Sequence, residues 1–142
     1  MRSIIVSALV LASAANAADF TLEMESGEAS RDASSSTTTF VVKGTELTIS
    51  YESSGRNSDI ELAPEKKTVQ LKEPAKVDAA LVAIRKTPED KKKSVLKDTQ
   101  YQHGCLIEGK KKYCTTIPSA DGTNLRMTAL KVLQDLLYAS TF

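Results

Sequence analysis

The sequence predicts an α+β fold, with an antiparallel sheet of about five to seven short strands, two main helices packed on one face of the sheet, and one hairpin disulfide. Two observations lead to this prediction. The strand-like segments alternate apolar and polar residues, whereas buried parallel strands would read as continuous apolar runs. Most of these segments also precede the helical ones along the chain, and such segregation of strands and helices is typical of α+β proteins.

The first predicted strand covers residues 19–25, where Phe20, Leu22 and Met24 alternate with polar residues. A period of two with this polarity indicates a strand that buries one of its faces. The next segment, residues 27–36, is rich in small and polar residues, so it predicts a loop.

Residues 37–53 predict a β-hairpin with Gly44 and Thr45 at its turn. The register of this turn brings three pairs of residues together on one face: Val42 with Leu47, Phe40 with Ile49, and Thr38 with Tyr51. Because these pairs are largely apolar, we expect that face of the hairpin to be the buried one.

Residues 59–62 and 68–72 each carry apolar residues at alternate positions, and they predict a third pair of short strands around a turn at Pro64. A helix is expected to begin at Pro74, because proline suits the first helical position, and to end before Pro88. Its predicted buried stripe follows helical spacing and consists of Val77, Ala80, Leu81 and Ile84.

Two further helices are expected in the second half of the chain. Residues 87–90 resemble a capped helix start, and residues 91–97 then predict a short, mostly solvated helix. The strongest helical pattern runs from Asn124 to about Tyr138. Its buried stripe is predicted to consist of Leu125, Ala129, Val132, Leu133 and Leu136, widened by Met127, Leu130 and Leu137.

Residues 101–117 hold both cysteines and the single histidine, and they predict a second β-hairpin that turns at Gly109 and Lys110. A two-residue turn there pairs Glu108 with Lys111, Ile107 with Lys112, Leu106 with Tyr113, and Cys105 with Cys114. Counted outward from the turn, the cysteine pair is non-hydrogen-bonded, which is the narrower kind of pair. Cross-strand Cβ atoms are then close enough to be bridged, so we predict a Cys105–Cys114 disulfide.

Residues 1–17 have the features of a secretory signal peptide: a positive charge at Arg2, an apolar core over residues 4–12, and a small-residue cleavage site at residues 15–17. We expect cleavage to leave residues 18–142 as a single exported domain in a bacterial periplasm, with secretion as the alternative. An even number of cysteines fits such an oxidising compartment. No later apolar run is long enough to span a bilayer.

Charge is divided unevenly along the chain. Residues 18–62 contain nine acidic and three basic residues, a net charge of −6, whereas residues 63–142 contain nine acidic and fifteen basic residues, a net charge of +6. The two segments either form opposed faces or neutralise each other when packed, and we favour neutralisation. The balance lacks the basicity of nucleic-acid-binding proteins. One histidine and no phosphate-binding glycine loop predict neither a metal site nor a cofactor.

Two residues are candidates for catalysis, namely His103 as a base and Ser94, which begins an S-x-x-K motif that ends at Lys97. Neither is accompanied by the remaining parts of a catalytic site. No nucleophile-elbow pattern surrounds a serine, and the K-T-G and S-D-N partners of the S-x-x-K motif are missing. We therefore expect binding rather than catalysis, and a small hydrolase using His103 or Ser94 remains the less favoured alternative.

The predicted binding residues are Lys110, Lys111, Lys112 and Tyr113, which we call the lysine tip. A positive hairpin tip suits an acidic protein surface or an anionic component of the cell envelope, although lysines there also keep an exposed sheet edge soluble. A second basic run, Lys91–Lys93 with Lys97, would enlarge this surface. We predict a small exported interaction module, such as an inhibitor or envelope accessory factor; the alternative is a carrier of a small apolar ligand between sheet and helices.

Overall fold

The computed structural model describes residues 19–29, 34–54, 65–88, 99–118 and 122–142. Within these ranges, six strands form one antiparallel sheet that carries two helices, so the predicted α+β fold is confirmed. Three predicted features lie outside the described residues: the signal peptide, the strand at residues 59–62 and the short helix at residues 91–97.

The elements follow one another as β1 (Phe20–Ala29), β2 (Ser35–Lys43), β3 (Glu46–Ser54), β4 (Glu65–Gln70), α1 (Pro74–Arg85), β5 (Thr99–Glu108), β6 (Lys111–Pro118) and α2 (Leu125–Ala139). Across the sheet the strand order is β4-β3-β2-β1-β5-β6. The β2–β3 and β5–β6 turns lie at the same end of the sheet, because Thr21 of β1 is in register with both Val41 and Ile107. We call this the turn end and the opposite one the far end.

The β2–β3 hairpin has the predicted register, with Val42 opposite Leu47 and Phe40 opposite Ile49. The predicted loop at residues 27–36 is wrong at both of its ends, because β1 continues to Ala29 and β2 begins at Ser35. Small polar residues there still form a regular backbone ladder, in which Gly27 pairs with Ser35. The polar composition therefore led to a loop prediction for strand residues that neither described helix covers.

The structure also corrects the predicted start of β4. The strand begins at Glu65 instead of residue 68 and pairs with β3 along its whole length. Its first residues are polar, so the apolar alternation that predicted the strand began only at Val69. Backbone hydrogen bonding to β3 extends the strand beyond that alternation.

Both helices pack on one face of the sheet and share one hydrophobic core with it. All four predicted α1 residues, Val77, Ala80, Leu81 and Ile84, are buried, and the helix ends before Pro88 as predicted. The strands contribute Phe20, Leu22, Phe40, Val42, Leu47 and Leu106, and α2 contributes Leu130, Leu133 and Leu137. Burial of each large side chain contributes about 1.5–3 kcal/mol, so this single layer supplies most of the driving force for folding.

Helix α2 begins at Leu125, one residue after the predicted start at Asn124. Asn124 caps the helix, because its side chain accepts a hydrogen bond from the Met127 backbone N–H at 2.7 Å. The predicted buried stripe is correct for Met127, Leu130, Leu133 and Leu137, and it is wrong for Leu125 and Val132, which are 69% and 51% exposed. The buried positions are Arg126, Met127, Leu130, Leu133 and Leu137. Apolar residues lie almost all round this helix, so periodicity alone did not determine which side faces the sheet.

The helices cover the turn end of the sheet and its middle. Helix α1 starts just after Leu71, whose N–H donates to the Thr45 carbonyl at 2.8 Å, and it ends beside β5. Helix α2 returns from β6 to the β4 side, where Ser140 accepts a hydrogen bond from the Lys72 N–H. Tyr51, which the sequence predicted to be buried, lies nearer the far end and is 49% exposed.

Candidate functional site

The hairpin that carries the lysine tip has the predicted register, with Glu108 opposite Lys111 and Cys105 opposite Cys114. The two cysteines form the predicted disulfide, and their Cα atoms are 4.1 Å apart, as expected for a narrow cross-strand pair. Gly109 has a φ of 59°, a left-handed conformation that glycine adopts without steric cost. The ladder residues 106–108 and 111–113 therefore lie between two constraints, the turn on one side and the disulfide on the other.

The four residues of the lysine tip fall into two groups. Lys110, Lys111 and Lys112 are exposed, and they place three positive charges around the turn. Tyr113 is half-buried and packs against the hydrophobic core. The Arg126 guanidinium lies over the Tyr113 ring, with 5.8 Å between the guanidinium carbon and the ring centroid. The lysines thus form the accessible surface, and Tyr113 joins the hairpin to the body of the protein.

Glu108, the acid opposite Lys111, is bound to another cation. The Arg85 guanidinium at the end of α1 donates to both carboxylate oxygens, at 2.8 Å from Nε and 2.5 Å from Nη2. This hydrogen bonding raises the pKa of Arg85 above its ordinary value, against a smaller opposing effect of burial. Because Glu108 is held in this bidentate pair, it neutralises Arg85, and within the described part of the chain no acidic side chain forms an ion pair with the lysine tip.

Arg126 is a positioning residue that the sequence prediction missed. It is 6% exposed, and it donates to the Thr87 hydroxyl at 3.0 Å, the Thr87 carbonyl at 3.1 Å and the Cys114 carbonyl at 3.1 Å. These neutral acceptors belong to the segment after α1 and to β6, so one side chain ties α1, α2 and the disulfide hairpin together. No pattern indicated this role, because an arginine in the first turn of a helix normally faces solvent.

His103 lies on the sheet face opposite the helices, beside the disulfide. Its Nδ1 atom is 2.5 Å from the Thr116 hydroxyl, and its Nε2 atom is 3.3 Å from the Cys105 sulfur. Glu25 is its register partner on β1, but the Glu25 carboxylate bonds to Tyr101, whose pKa rises through burial and the nearby negative charge. Within the described ranges, the two ring nitrogens thus contact a hydroxyl and a sulfur, and neither contact is the orienting carboxylate of a triad. Ser94 lies outside the described residues.

Among the described residues, no group of three or more His, Cys, Asp or Glu side chains is arranged to hold a metal ion. In the same part of the chain, no helix is both long and apolar enough to cross a membrane. The middle of the layer between sheet and helices, the region in which the sequence suggested an apolar ligand, is filled by side chains such as Phe40, Leu81 and Leu130, which are at most 1% exposed. The flank of α2 remains open, with a hollow between Tyr51 and Tyr138.

No protein-family model matches the chain, and no curated protein sequence is significantly similar to it.

Proposed function

We propose that this protein is an exported interaction module whose lysine tip binds an acidic surface on a protein partner. The observation that carries the proposal is the exposed charge of Lys110, Lys111 and Lys112, which no acidic side chain of the described ranges pairs with, since the neighbouring acid Glu108 is bound to Arg85. A concentrated positive patch accelerates encounter with an acidic partner and selects against basic ones.

The hairpin below the tip is held at three points, which supports binding over a purely solubilising role for the lysines. The Cys105–Cys114 disulfide joins its strands, Arg85 holds Glu108, and Arg126 holds the Cys114 carbonyl. A hairpin that is already ordered loses little conformational entropy on binding, so more of its interaction energy is available as affinity. This anchoring favours a protein groove over a diffuse anionic surface, which a flexible basic segment would serve as well.

Export is part of the proposal, and two features support it. Residues 1–17 have the sequence pattern of a signal peptide, and the disulfide requires an oxidising compartment to persist. A bacterial periplasm satisfies both conditions.

The first experiment is partner capture with the oxidised protein, followed by affinity measurement for the captured protein. The triple variant Lys110→Glu/Lys111→Glu/Lys112→Glu is expected to weaken binding by at least about tenfold, mainly through slower association. A matched control, Lys66→Glu/Lys67→Glu/Lys131→Glu, makes the same change in net charge on β4 and α2, away from the lysine tip, and should bind within about twofold of the wild type.

Two results would refute the proposal. One is equal loss of binding by both triple variants, which would indicate a response to net charge. The other is unchanged binding by the tip variant, which would place the interface elsewhere. Added salt should reduce the association rate of the wild type and leave that of the tip variant nearly constant, because screening acts on the charges that the variant reverses.

A further inference from the structure

A groove runs along the flank of α2, on the helix-bearing side of the sheet and towards its far end. Five residues at helical spacing form its α2 wall: Met127, Lys131, Gln134, Tyr138 and, just beyond the helix, Thr141. The groove consists of a larger hollow of about 510 Å³ and a smaller one of about 220 Å³, and Thr38 lines both. The larger hollow has the size of typical small-molecule sites.

The larger hollow has an apolar and aromatic lining with a cationic rim. Ile49 and Tyr51 of β3 face Tyr138 of α2, and Lys66 and Lys67 of the edge strand β4 complete the rim. Tyr138 is fixed, because its ring packs edge-on against buried Phe40 with centroids 5.1 Å apart. Tyr51, by contrast, leaves half of its surface exposed on the core-facing side of a strand. An exposed aromatic residue in that position marks apolar surface that the described helices leave uncovered.

The described lining of the larger hollow is positively charged, because it contains two lysines and no carboxylate. Lys67, in register with Ile49, belongs to the helix-bearing face of β4 and Lys66 to the other face. Both are exposed on this edge strand, so they can meet an anionic group at the edge of the sheet without being buried themselves. The complementary ligand therefore has an apolar body for the tyrosines and an anionic end for the lysines.

The smaller hollow is more polar and sets the limit of the apolar site. Ser26, Ser36, Gln102 and Gln134 are among its lining residues. The Gln102 side-chain carbonyl oxygen is buried there and has no hydrogen-bond partner among the residues that the structure describes. A hydrocarbon chain laid over this oxygen would leave it unsatisfied, which is unfavourable. An acyl chain is therefore best accommodated in the larger hollow.

We propose that the larger hollow binds a fatty-acid anion, with its carboxylate at Lys66 and Lys67 and its chain packed over Ile49, Tyr51 and Tyr138. This site is independent of the lysine tip. It lies near the far end of β3 and β4, whereas the tip is at the turn end on the opposite edge of the sheet. Binding of a fatty acid can thus succeed or fail without affecting the proposal for the tip.

The test is calorimetric titration of the purified, oxidised protein with laurate. We expect laurate to bind saturably at one site. Dodecyltrimethylammonium has the same chain length and the opposite charge, so we expect it to bind at least about tenfold more weakly. Lys66→Glu/Lys67→Glu should weaken laurate binding at least about tenfold and reverse the preference for the anion. Tyr51→Ser, at a half-exposed position outside the packed core, should weaken it about tenfold through loss of apolar contact.

The matched control is Lys43→Glu/Lys86→Glu, which makes the same charge change at two exposed positions that line neither hollow and should leave laurate affinity within about twofold. Equal weakening by this control would overturn the proposal, because it would indicate non-specific attraction by net charge. Absence of saturable laurate binding would overturn it as well. So would a dimer in sedimentation experiments that Tyr51→Ser dissociates, since a second copy of the chain would then occupy the groove.

Discussion

At the scale of single residues, Arg126 has the most influence on how the candidate binding hairpin is held. Its three hydrogen bonds reach Thr87 and Cys114, and its guanidinium covers the Tyr113 ring. The Thr87 hydroxyl is itself ordered, because it donates to the Ile84 carbonyl at 2.6 Å while it accepts from Arg126. The planar guanidinium meets several acceptors at once, which an ammonium group cannot reproduce with the same geometry.

Replacement of this arginine by a side chain of similar length tests its role. We expect Arg126→Met to lower the free energy of unfolding by about 2–3 kcal/mol, because it leaves buried carbonyl groups without donors. Arg126→Lys should recover only part of that loss. Urea denaturation provides the measurement, and Lys86→Met at an exposed site should change stability by less than about 0.5 kcal/mol. A similarly small effect of Arg126→Met would contradict the positioning role.

At the scale of elements, Gly104 controls how closely α2 approaches the sheet. A Cβ atom at this position of β5 would lie 2.9 Å from Leu130 Cδ1 and 3.0 Å from Met24 Sδ. Leu130 is fully buried, so it has little room to move away. Glycine at residue 104 therefore lets the side of α2 that carries Leu130, Leu133 and Leu137 pack on the sheet. The side that carries Leu125 and Val132 faces away from it.

The variant Gly104→Ala measures this close approach. If alanine fitted without strain, it would stabilise the protein by about 0.4–1 kcal/mol, because it lowers the conformational entropy of the unfolded chain. Overpacking of a core, by contrast, costs about 1–3 kcal/mol. Because the added Cβ meets a fully buried side chain, we expect net destabilisation of about 1–2 kcal/mol in chemical denaturation. The penalty should shrink when Leu130→Ala is also present. An undiminished penalty in that double variant would show that Leu130 is not the obstacle.

The β5–β6 hairpin shows how elements combine to present a surface. Its turn residues and cross-strand cysteines set its shape locally, and Arg85 from α1 and Arg126 from α2 fasten it to the body. Both helices thus hold the hairpin base, while the exposed lysines remain at its end. The same two helices leave the far end of the sheet with the groove that we assign to a fatty-acid anion.

At the scale of the whole molecule, strands from the acidic segment lie between strands from the basic segment. The order β4-β3-β2-β1-β5-β6 puts β1, β2 and β3 in the middle, with β4 at one edge and the β5–β6 pair at the other. Neighbouring segments of opposite charge attract one another, which favours this arrangement. It also puts the two proposed cationic sites on opposite edges of the sheet.

A shared core predicts cooperative unfolding. Because both helices and strands β1, β2, β3 and β5 contribute buried residues to one cluster, we expect a single calorimetric transition with equal calorimetric and van't Hoff enthalpies. Reduction of the disulfide should keep that single transition and lower stability by about 2.5–3 kcal/mol, the loop-closure effect of a short cross-link.

Cys105→Ser/Cys114→Ser is the control for side effects of the reductant, and it should behave like the reduced protein. Two separate transitions in either form would show that the hairpin folds apart from the core. A reduced protein as stable as the oxidised one would mean that Arg85, Arg126 and the core alone hold the hairpin in place.

Features that depend on neighbouring residues were predictable from the sequence. Gly44 and Gly109 set the hairpin registers, and the register of the second hairpin then brings Cys105 opposite Cys114. Pro74 and Asn124 mark the starts of the two helices. These predictions succeeded because turn conformation, helix capping and strand alternation are settled over a few residues. The exposed lysines of the tip follow from the same turn.

Features that depend on packing between distant segments emerged only in the folded molecule. The buried side of α2 follows from the close approach at Gly104, and Arg126 acquires its role because β6 and the segment after α1 converge on it. Tyr51 is exposed because the described helices leave that part of its strand uncovered. Strand alternation specifies which face of the sheet a residue joins, but the extent to which helices cover that face depends on how whole elements pack.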